Sequence, residues 1–213
     1  MLKDIVILGT GGVAEGIIWV IEMINSIEET WNILGYIDNE KESHSMICGY
    51  PVIGNDDWLL QYDKPIYAAC AIGFPGIRKK VIKKFRSKDN IIFPQLISPK
   101  AVISDRAEIG EGCVIYPGTI LAPNVKVNDH VLINYNCTFG HDVEIGSYTC
   151  INPAANVSGC VSIGNACLIG SNSSIKQQLV IGDNSTVGLG AVVLSSVDSN
   201  TTVVGNPARV LKK

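Results

Sequence analysis

One histidine in this sequence stands where it could take up a proton. His141 follows Phe139 and Gly140 and precedes Asp142, and it is one of only three histidines in the 213 residues. Histidine changes charge near neutral pH, so it can act as a general base, and a neighbouring carboxylate can orient its ring. Gly159 lies 18 residues later, and its amide is a candidate donor to developing negative charge. The alternatives are a surface histidine and a plain turn glycine.

A second group of candidates lies near the start of the chain. The loop after the first strand run is rich in glycine and includes Gly11, Gly12 and Val13. Such a turn lets a phosphate approach the amides at the start of the following helix. Asp38 and Asn39 follow a second strand run, where an acidic side chain can bind ribose or sugar hydroxyls.

Gly73 and Arg78 complete this second group. Gly73 ends a third strand run, and Arg78 belongs to the basic helix that follows, where its guanidinium could reach a phosphate. The first loop lacks the full GxGxxG spacing, and about 90 residues hold roughly one mononucleotide half. The pattern therefore favours one nucleotide, as in a nucleotide-sugar, over NAD. The alternatives are a tight strand–helix turn without a ligand and a basic helix face that is only solvated.

An apolar residue at every sixth position indicates which structural elements surround and position His141. This column has seventeen members without a skip, from Ile97 to Val193. Six residues rotate a helix by about 240°, so the spacing gives no helical stripe. The position four after each member is small or β-branched in every case except Leu179, and glycine often follows the member directly. Each unit therefore indicates a short strand followed by a bend.

Three such bends close a triangle, so 18 residues make one coil and seventeen units make about six coils. Coils stacked at the usual strand spacing of about 4.8 Å form a parallel β-helix. The column places His141 at a corner and Gly159 in the same corner one coil away. It also gives Cys113, Cys137 and Cys167 the small inward position, where thiols serve as packing. The alternative is chance spacing in a β-sandwich, which would require variable loops.

The first ninety-odd residues lack the period of six. Strand runs at 4–8, 33–37 and 66–73 alternate with helical patterns at 13–27 and 76–87. This alternation predicts a small α/β, Rossmann-like domain with a parallel sheet. We therefore expect a nucleotide-sugar-binding domain over residues 1–95 and a β-helix domain over residues 96–213.

Composition narrows the functional classes. The net charge is −3 without a basic run, and no apolar stretch approaches the length of a membrane span, so we expect neither nucleic acid nor a membrane as partner. The opening residues look like a strand rather than a signal peptide. Seven cysteines form no disulfide framework and no CxxC zinc site, so we expect a reducing cytoplasm and no metal cofactor.

With these features together, the chain resembles the hexapeptide-repeat acyltransferases, which fold as left-handed β-helices. The GxGG-type first loop, the sequence YIDN, a strand ending AIG before IRKK, and a GNPA tail near residue 205 are similar to one subfamily. That subfamily comprises sugar O- and N-acyltransferases related to bacterial sialic acid O-acetyltransferases and nucleotide-amino-sugar N-acetyltransferases. The likeness extends over essentially the whole chain. It implies a homotrimer, acetyl-CoA as co-substrate bound between neighbouring helices, and a place in polysaccharide biosynthesis.

The resemblance also implies roles for residues of the repeat. His141 matches the family's general base, Asp142 its acidic neighbour, and Asn134 an asparagine near the base. Gly159 matches the glycine whose amide stabilises the oxyanion. Other positions match residues around the acetyl-CoA, namely Ser171, Leu189 and Cys150. Two positions depart from the family pattern: Cys150 replaces a second histidine, and Val13 replaces a histidine or aromatic residue.

The resulting expectation is transfer of acetyl from acetyl-CoA to the amino group of a nucleotide-linked amino sugar. One alternative is O-acetylation of a free or CMP-linked sialic acid. A zinc carbonic anhydrase on the same fold requires three histidine ligands, which the spacing of His130 and His141 does not supply. A non-catalytic trimeric binding protein that kept the fold is the remaining, minor alternative, which the missing second histidine leaves open.

Overall fold

The computed structural model describes residues 2–212, so Met1 and Lys213, the outer ends of the two predicted domains, lie outside the described residues. The N-terminal part is a six-stranded sheet in the order β3-β4-β2-β1-β5-β6. All its pairs are parallel except β3 with β4. Its elements are β1 (Lys3–Leu8), α1 (Gly12–Asn25), β2 (Trp31–Ile37), β3 (Met46–Ile47), β4 (Tyr50–Gly54), α2 (Asp56–Gln61), β5 (Ile66–Cys70), α3 (Pro75–Phe85) and β6 (Ile91–Ile92).

The predicted α/β class of this part is confirmed. The three expected strands and two expected helices are present, with ends shifted by a few residues. The sequence prediction missed β4, α2 and the two short strands, because these segments show neither clear alternation nor a long helical stripe. The strand β4 extends the sheet beyond β2 and so closes one side of the loop that follows β2.

From residue 96 onward the chain forms a left-handed parallel β-helix, as expected. Its two-residue strands fall on three faces. The domain face consists of Leu96–Ile97, Val114–Ile115, Leu132–Ile133, Cys150–Ile151, Leu168–Ile169 and Thr186–Val187, continued by Thr202–Val204 and Arg209–Val210. The second face consists of Val102–Ile103, Ile120–Leu121, Thr138–Phe139, Asn156–Val157, Ser174–Ile175 and Val192–Val193. The third face consists of Glu108–Ile109, Lys126–Val127, Glu144–Ile145, Ser162–Ile163 and Val180–Ile181.

Neighbouring strands on a face are offset by 18 residues, as in the pairing of Ile115 with Ile133 and of Ile133 with Ile151. The apolar column fills the interior, and the thiols of Cys113, Cys137 and Cys167 are fully buried beside it. Their interpretation as packing is therefore confirmed.

Three corners join the faces, and each is named here by one residue. The Ser171 corner follows the domain face at residues 98–100, 116–118, 134–136, 152–154, 170–172 and 188–190. The His141 corner follows the second face at residues 104–106, 122–124, 140–142, 158–160, 176–178 and 194–196. The His130 corner follows the third face at residues 110–112, 128–130, 146–148, 164–166 and 182–184.

The N-terminal domain packs on the domain face. The outward residues Leu132 and Cys150 are buried there in one cluster with Ile17 of α1. Gly16 allows the close approach, because a Cβ at this position would lie 2.6 Å from Cε1 of Tyr116. In a triangular prism the corner opposite the domain face is the His141 corner, so this domain and His141 lie on opposite sides of the helix. Among residues 2–212, no helix is both long and apolar enough to cross a bilayer.

Candidate functional site

The His141 corner brings three of the predicted site residues together. Nδ1 of His141 lies 2.7 Å from Oδ2 of Asp142, and the two side chains are 66% and 50% exposed. Asp142 is ionised, since hydrogen bonds from His141 and Asn124 lower the pKa of its carboxyl group. An ionised carboxylate only accepts hydrogen bonds, so in the neutral ring the hydrogen is on Nδ1 and the lone pair is on Nε2. The ring is therefore held in the tautomer that can accept a proton at Nε2.

Gly159 lies against this free nitrogen from the next coil. A Cβ at Gly159 would be 2.8 Å from Nε2 of His141, so only glycine leaves the nitrogen uncovered. The Gly159 amide donates to no acceptor among the described residues. Gly140 permits the tight stacking, because a Cβ there would lie 2.6 Å from the Gly159 nitrogen. A backbone amide without an acceptor and the Nε2 edge of an imidazole thus lie in adjacent coils of the same corner.

Two further residues of this corner were missed by the sequence reasoning. Asn124, one coil before Asp142, donates from Nδ2 to Oδ1 of Asp142 at 2.9 Å. Cys160, one coil after Asp142, is exposed and has its Sγ 3.9 Å from Nδ1 of His141. The signal that could have found both is the 18-residue offset, which places all three in one column.

The predicted residues Asn134, Ser171 and Leu189 lie together on a different corner, the Ser171 corner. Asn134 is half-buried and accepts from the Tyr135 amide through its own Oδ1 at 2.9 Å. Ser171 accepts from the Gly190 amide through its carbonyl at 2.8 Å, and Leu189 is 82% exposed. One face of the prism separates this group from His141. Within one chain, Asn134 therefore lies away from His141, whereas the family resemblance matched it to an asparagine near the base.

The predicted contact of Cys150 with the acyl donor is wrong. Cys150 stands on the domain face, where the N-terminal domain covers its side chain completely. Burial raises the pKa of its thiol to about 11, so it does not supply a thiolate near neutral pH. Cys150 is a packing residue between the two parts of the chain.

The glycine loop and the end of β2 form a cleft of about 530 Å³ at the carboxyl ends of the sheet strands. The residues around it include Thr10, Gly11, Asp38, Asn39, Ile72 and Ile77. Helix α1 starts at Gly12 without a side-chain cap, so its first amides are available for an anion. A Cβ at Gly11 or Gly12 would meet nothing within 4 Å, which leaves the approach open.

Asp38 uses most of its hydrogen-bonding capacity inside the protein, and Asn39 uses one acceptor position. Asp38 accepts from the Thr10 hydroxyl at 2.7 Å and from the Glu40 and Lys41 amides at 2.9 and 3.2 Å. Although partial burial raises its pKa, these hydrogen bonds together lower it. Asn39 accepts from the Asp56 amide at 3.1 Å. Both side chains therefore shape the cleft by fixing the loops, with lone pairs left for a hydroxyl.

Val13 and Gly73 bring two loops of the cleft into contact. A Cβ at Gly73 would lie 3.2 Å from Cγ2 of Val13, so glycine allows the α1 and α3 loops to pack. The Val13 carbonyl accepts from the Tyr116 hydroxyl at 3.0 Å, which ties this loop to the Ser171 corner.

The prediction that Arg78 reaches a phosphate is wrong. Its side chain is completely buried on the inner side of α3. Its guanidinium donates to the carbonyls of His130 at 2.7 Å, Cys70 at 2.8 Å and Ile72 at 3.3 Å. Arg78 therefore joins the sheet domain to the His130 corner.

The second histidine of the repeat is built differently from His141. His130 is fully buried, stacks on Tyr148 at 5.4 Å between ring centroids, and meets Phe93 edge-on. Neither ring nitrogen makes a hydrogen bond among the described residues, although Glu111 lies 3.5 Å from Nε2. Burial, with Arg78 and Arg86 nearby, lowers the pKa of His130 to about 4. This histidine is neutral packing.

Comparison with known proteins assigns the family. The PglD N-terminal domain model matches residues 4–85. WeeI from Acinetobacter baumannii AYE is 31% identical, with a TM-score of 0.87 over 98% of this chain and 100% of that one. The chain belongs to the hexapeptide-repeat sugar acetyltransferase family. The family resemblance drawn from the sequence is therefore confirmed.

Two further members of the family carry functional names. PerB from Caulobacter crescentus, solved in complex with CoA and GDP-perosamine, is 25% identical, with a TM-score of 0.89 over 100% of this chain and 99% of that chain. GDP-perosamine N-acetyltransferase of Escherichia coli O157:H7 is 37% identical over 120 residues, which are 54% of each protein. The chain spans about half the length of the curated relatives it matches.

Proposed function

We propose that this protein is an acetyl-CoA-dependent N-acetyltransferase of a nucleotide-linked amino sugar, with His141 as the general base. The observation that carries the proposal is the His141 corner. There a carboxylate fixes the imidazole tautomer, and an unpaired glycine amide lies beside the free nitrogen. These are the two groups that attack of an amine on a thioester requires.

The chemistry follows from these two groups. The sugar amine attacks the thioester carbonyl of acetyl-CoA and gives a tetrahedral oxyanion, to which the Gly159 amide would donate a hydrogen bond. Nε2 of His141 takes the proton from the attacking nitrogen, while Nδ1–H donates to Asp142. The carbon–sulfur bond then breaks, and the thiolate of CoA leaves with the amide product formed. The proton on Nε2 returns to the leaving thiolate.

The relatives support the identity of both substrates. PerB was solved with CoA and GDP-perosamine, and the curated relative is named as a GDP-perosamine N-acetyltransferase. The cleft at the glycine loop has open amides at a helix start, which suits the diphosphate of a nucleotide sugar. Asp38 remains able to accept from a hydroxyl.

The placement of the two groups of residues supports a site shared between copies of the chain. The cleft at the glycine loop belongs to the domain that packs on the side of the prism opposite His141. The residues Asn134, Ser171 and Leu189 lie on the Ser171 corner. An acceptor held in the cleft cannot reach His141 of its own helix across the packed core. Assembly as a homotrimer would set the His141 corner of one copy against the Ser171 corner of the next.

The direct test is release of free thiol from acetyl-CoA with a panel of acceptors. GDP-, UDP- and dTDP-linked 4-amino sugars should be compared with CMP-sialic acid and free sialic acid. We expect turnover with one nucleotide amino sugar, with GDP-perosamine as the first candidate. The N-acetyl product should be identified by mass.

The panel also separates the alternatives. Turnover only with a sialic acid would replace the proposal with O-acetylation. Binding of acetyl-CoA without turnover on any acceptor would favour a non-catalytic binding protein.

A further inference from the structure

One cluster at the His141 corner joins the proposed base and its carboxylate to Cys160, a side chain that has no role in the proposed transfer step. Donor atoms of His141, Asp142 and Cys160 lie within 4.8 Å of one another, and all three side chains are exposed. Nδ1 of His141 is 2.7 Å from Oδ2 of Asp142 and 3.9 Å from Sγ of Cys160. A nitrogen, an oxygen and a sulfur ligand therefore converge on one point.

These separations are close to those of a tetrahedral zinc site. Zinc bonds of about 2.0–2.3 Å at tetrahedral angles place a nitrogen about 3.6 Å from a sulfur and about 3.3 Å from an oxygen. The sulfur would need to move closer by about 0.3 Å and the carboxylate oxygen to move away by about 0.6 Å. A water molecule would complete the four ligands, as it does in open zinc sites.

The β-helix holds the three ligands in place. The Cys160 amide donates to the His141 carbonyl at 2.9 Å, which fixes one coil on the next. Asp142 and Cys160 share the same left-handed backbone conformation, with φ of 58° at each, at equivalent places one coil apart. Their side chains therefore leave the corner in register, and little chain ordering is needed when a cation binds.

We propose that His141, Asp142 and Cys160 form a binding site for a thiophilic divalent cation, represented by Zn²⁺, that switches off the base. The switching half of the inference rests on the proposed function. In the free protein, Nδ1 carries the hydrogen and Nε2 accepts the substrate proton. A cation on Nδ1 needs that lone pair, so the hydrogen moves through solvent to Nε2. The Cys160 thiol loses its proton to solvent, and Nε2 no longer accepts one.

The binding half is tested with Co²⁺, in the absence of CoA, because CoA is itself a thiol ligand. We expect one Co²⁺ per chain, with an intense visible spectrum of tetrahedral type and a thiolate-to-cobalt charge-transfer absorption. Cys160→Ser should remove the charge-transfer absorption. Cys48→Ser, which removes another exposed thiol far from this corner in sequence, is the matched control and should leave the spectrum unchanged. No such absorption, or the same absorption in Cys160→Ser, would overturn the site.

The switching half is tested by acetyl transfer in zinc buffers. Wild-type turnover should fall at least tenfold at saturating Zn²⁺ and return when EDTA is added. Cys160→Ser should need at least tenfold more Zn²⁺ for the same inhibition. Equal sensitivity of the two proteins would overturn the switch. If the protein transfers no acetyl group even without Zn²⁺, the proposed function fails, and the cobalt spectrum still decides whether the site exists.

Discussion

The His141 and His130 corners are built on the same repeat and are used in opposite ways. At the His130 corner, the amides of Glu111, Ser147 and Asn165 are each capped by a side-chain oxygen one coil further on, at 3.1, 3.0 and 2.7 Å. At the His141 corner, the equivalent amide of Gly159 has no such partner among the described residues, although Gln177 occupies the equivalent place one coil further on.

The two histidines repeat this contrast. His130 is buried between aromatic rings beside the sheet domain, whereas His141 is exposed and its ring contacts Asp142 and Cys160. The difference teaches that the corner we propose as reactive is the one whose Gly159 amide and histidine lack these structural partners. Mutations at the two corners should therefore separate activity from stability.

The largest effect should come from replacing each of the two histidines in turn. His141→Ala removes the proton acceptor, and we expect kcat with the true acceptor to fall by roughly 10²- to 10⁴-fold. His130→Phe keeps an aromatic ring in its stack and should retain turnover. Steady-state rates of thiol release measure both. If His141→Ala keeps more than a tenth of wild-type turnover, His141 is not the base.

The next largest effect should come from adding one methyl group at each corner. In Gly159→Ala the methyl would sit 2.8 Å from Nε2 of His141 and push the ring aside, so we expect kcat/KM to fall by about tenfold or more. In Gly164→Ala, at the His130 corner, the methyl would sit 2.7 Å from the Asp183 nitrogen, which is fixed backbone. We expect that variant to lose about 1–3 kcal/mol of stability.

Urea unfolding and thiol release should be measured on both glycine variants. The expected pattern is crossed, with activity lost at Gly159 and stability lost at Gly164. A Gly159 variant that is unstable but fully active would contradict the contrast between the corners.

A smaller effect should appear in the pH dependence of stability. The pKa of His130 is about 4 in the folded chain and about 6.5 in an unfolded one, so the unfolded state binds more protons between these values. Stability therefore falls as pH decreases through this window, and we expect about 2 kcal/mol less at pH 5 than at pH 8. His130→Phe should lose that part of the dependence in urea unfolding at the two pH values. The same pH dependence in both proteins would refute this account.

The smallest effect should come from the residue that holds Asp142. Asn124→Gly removes one hydrogen bond to the carboxylate and suits the left-handed backbone there, which has φ of 63°. A hydrogen bond of about 1 kcal/mol predicts a roughly fivefold lower kcat with little change in the KM for acetyl-CoA. Asn184→Gly, at a similar backbone position with φ of 56° in the His130 corner, is the control. An equal loss in both variants would show a general backbone effect.

The repeat made much of this arrangement predictable. Its period gave the coils, the interior thiols and the position of His141, and its 18-residue offset placed Gly159 against the ring. The same offset would have revealed Asn124 and Cys160. It would also have shown Cys150 in an outward apolar column with Val114, Leu132 and Leu168, which is the surface that the N-terminal domain covers.

The errors come from side chains whose surroundings are set by distant segments. Arg78 lies on the same side of α3 as the buried Ile82 and Phe85, and that spacing indicated an inward position. Its positive charge nevertheless led to the prediction that it binds a phosphate. The sequence did not reveal its actual acceptors, because one of them is the carbonyl of His130, 52 residues away in the chain. The hydrogen bond from Thr10 to Asp38 was also not foreseen, because the two residues are 28 apart in the chain, but it does not contradict the predicted role of Asp38.

The fixed offset between coils also constrains how this protein can change its length. A gain or loss of one complete 18-residue coil preserves the face on which every later residue falls. A gain of six residues would turn everything downstream by one third of a revolution and exchange the corners. Only insertions or deletions of whole coils therefore keep the docked domain and the His141 corner on opposite sides of the helix.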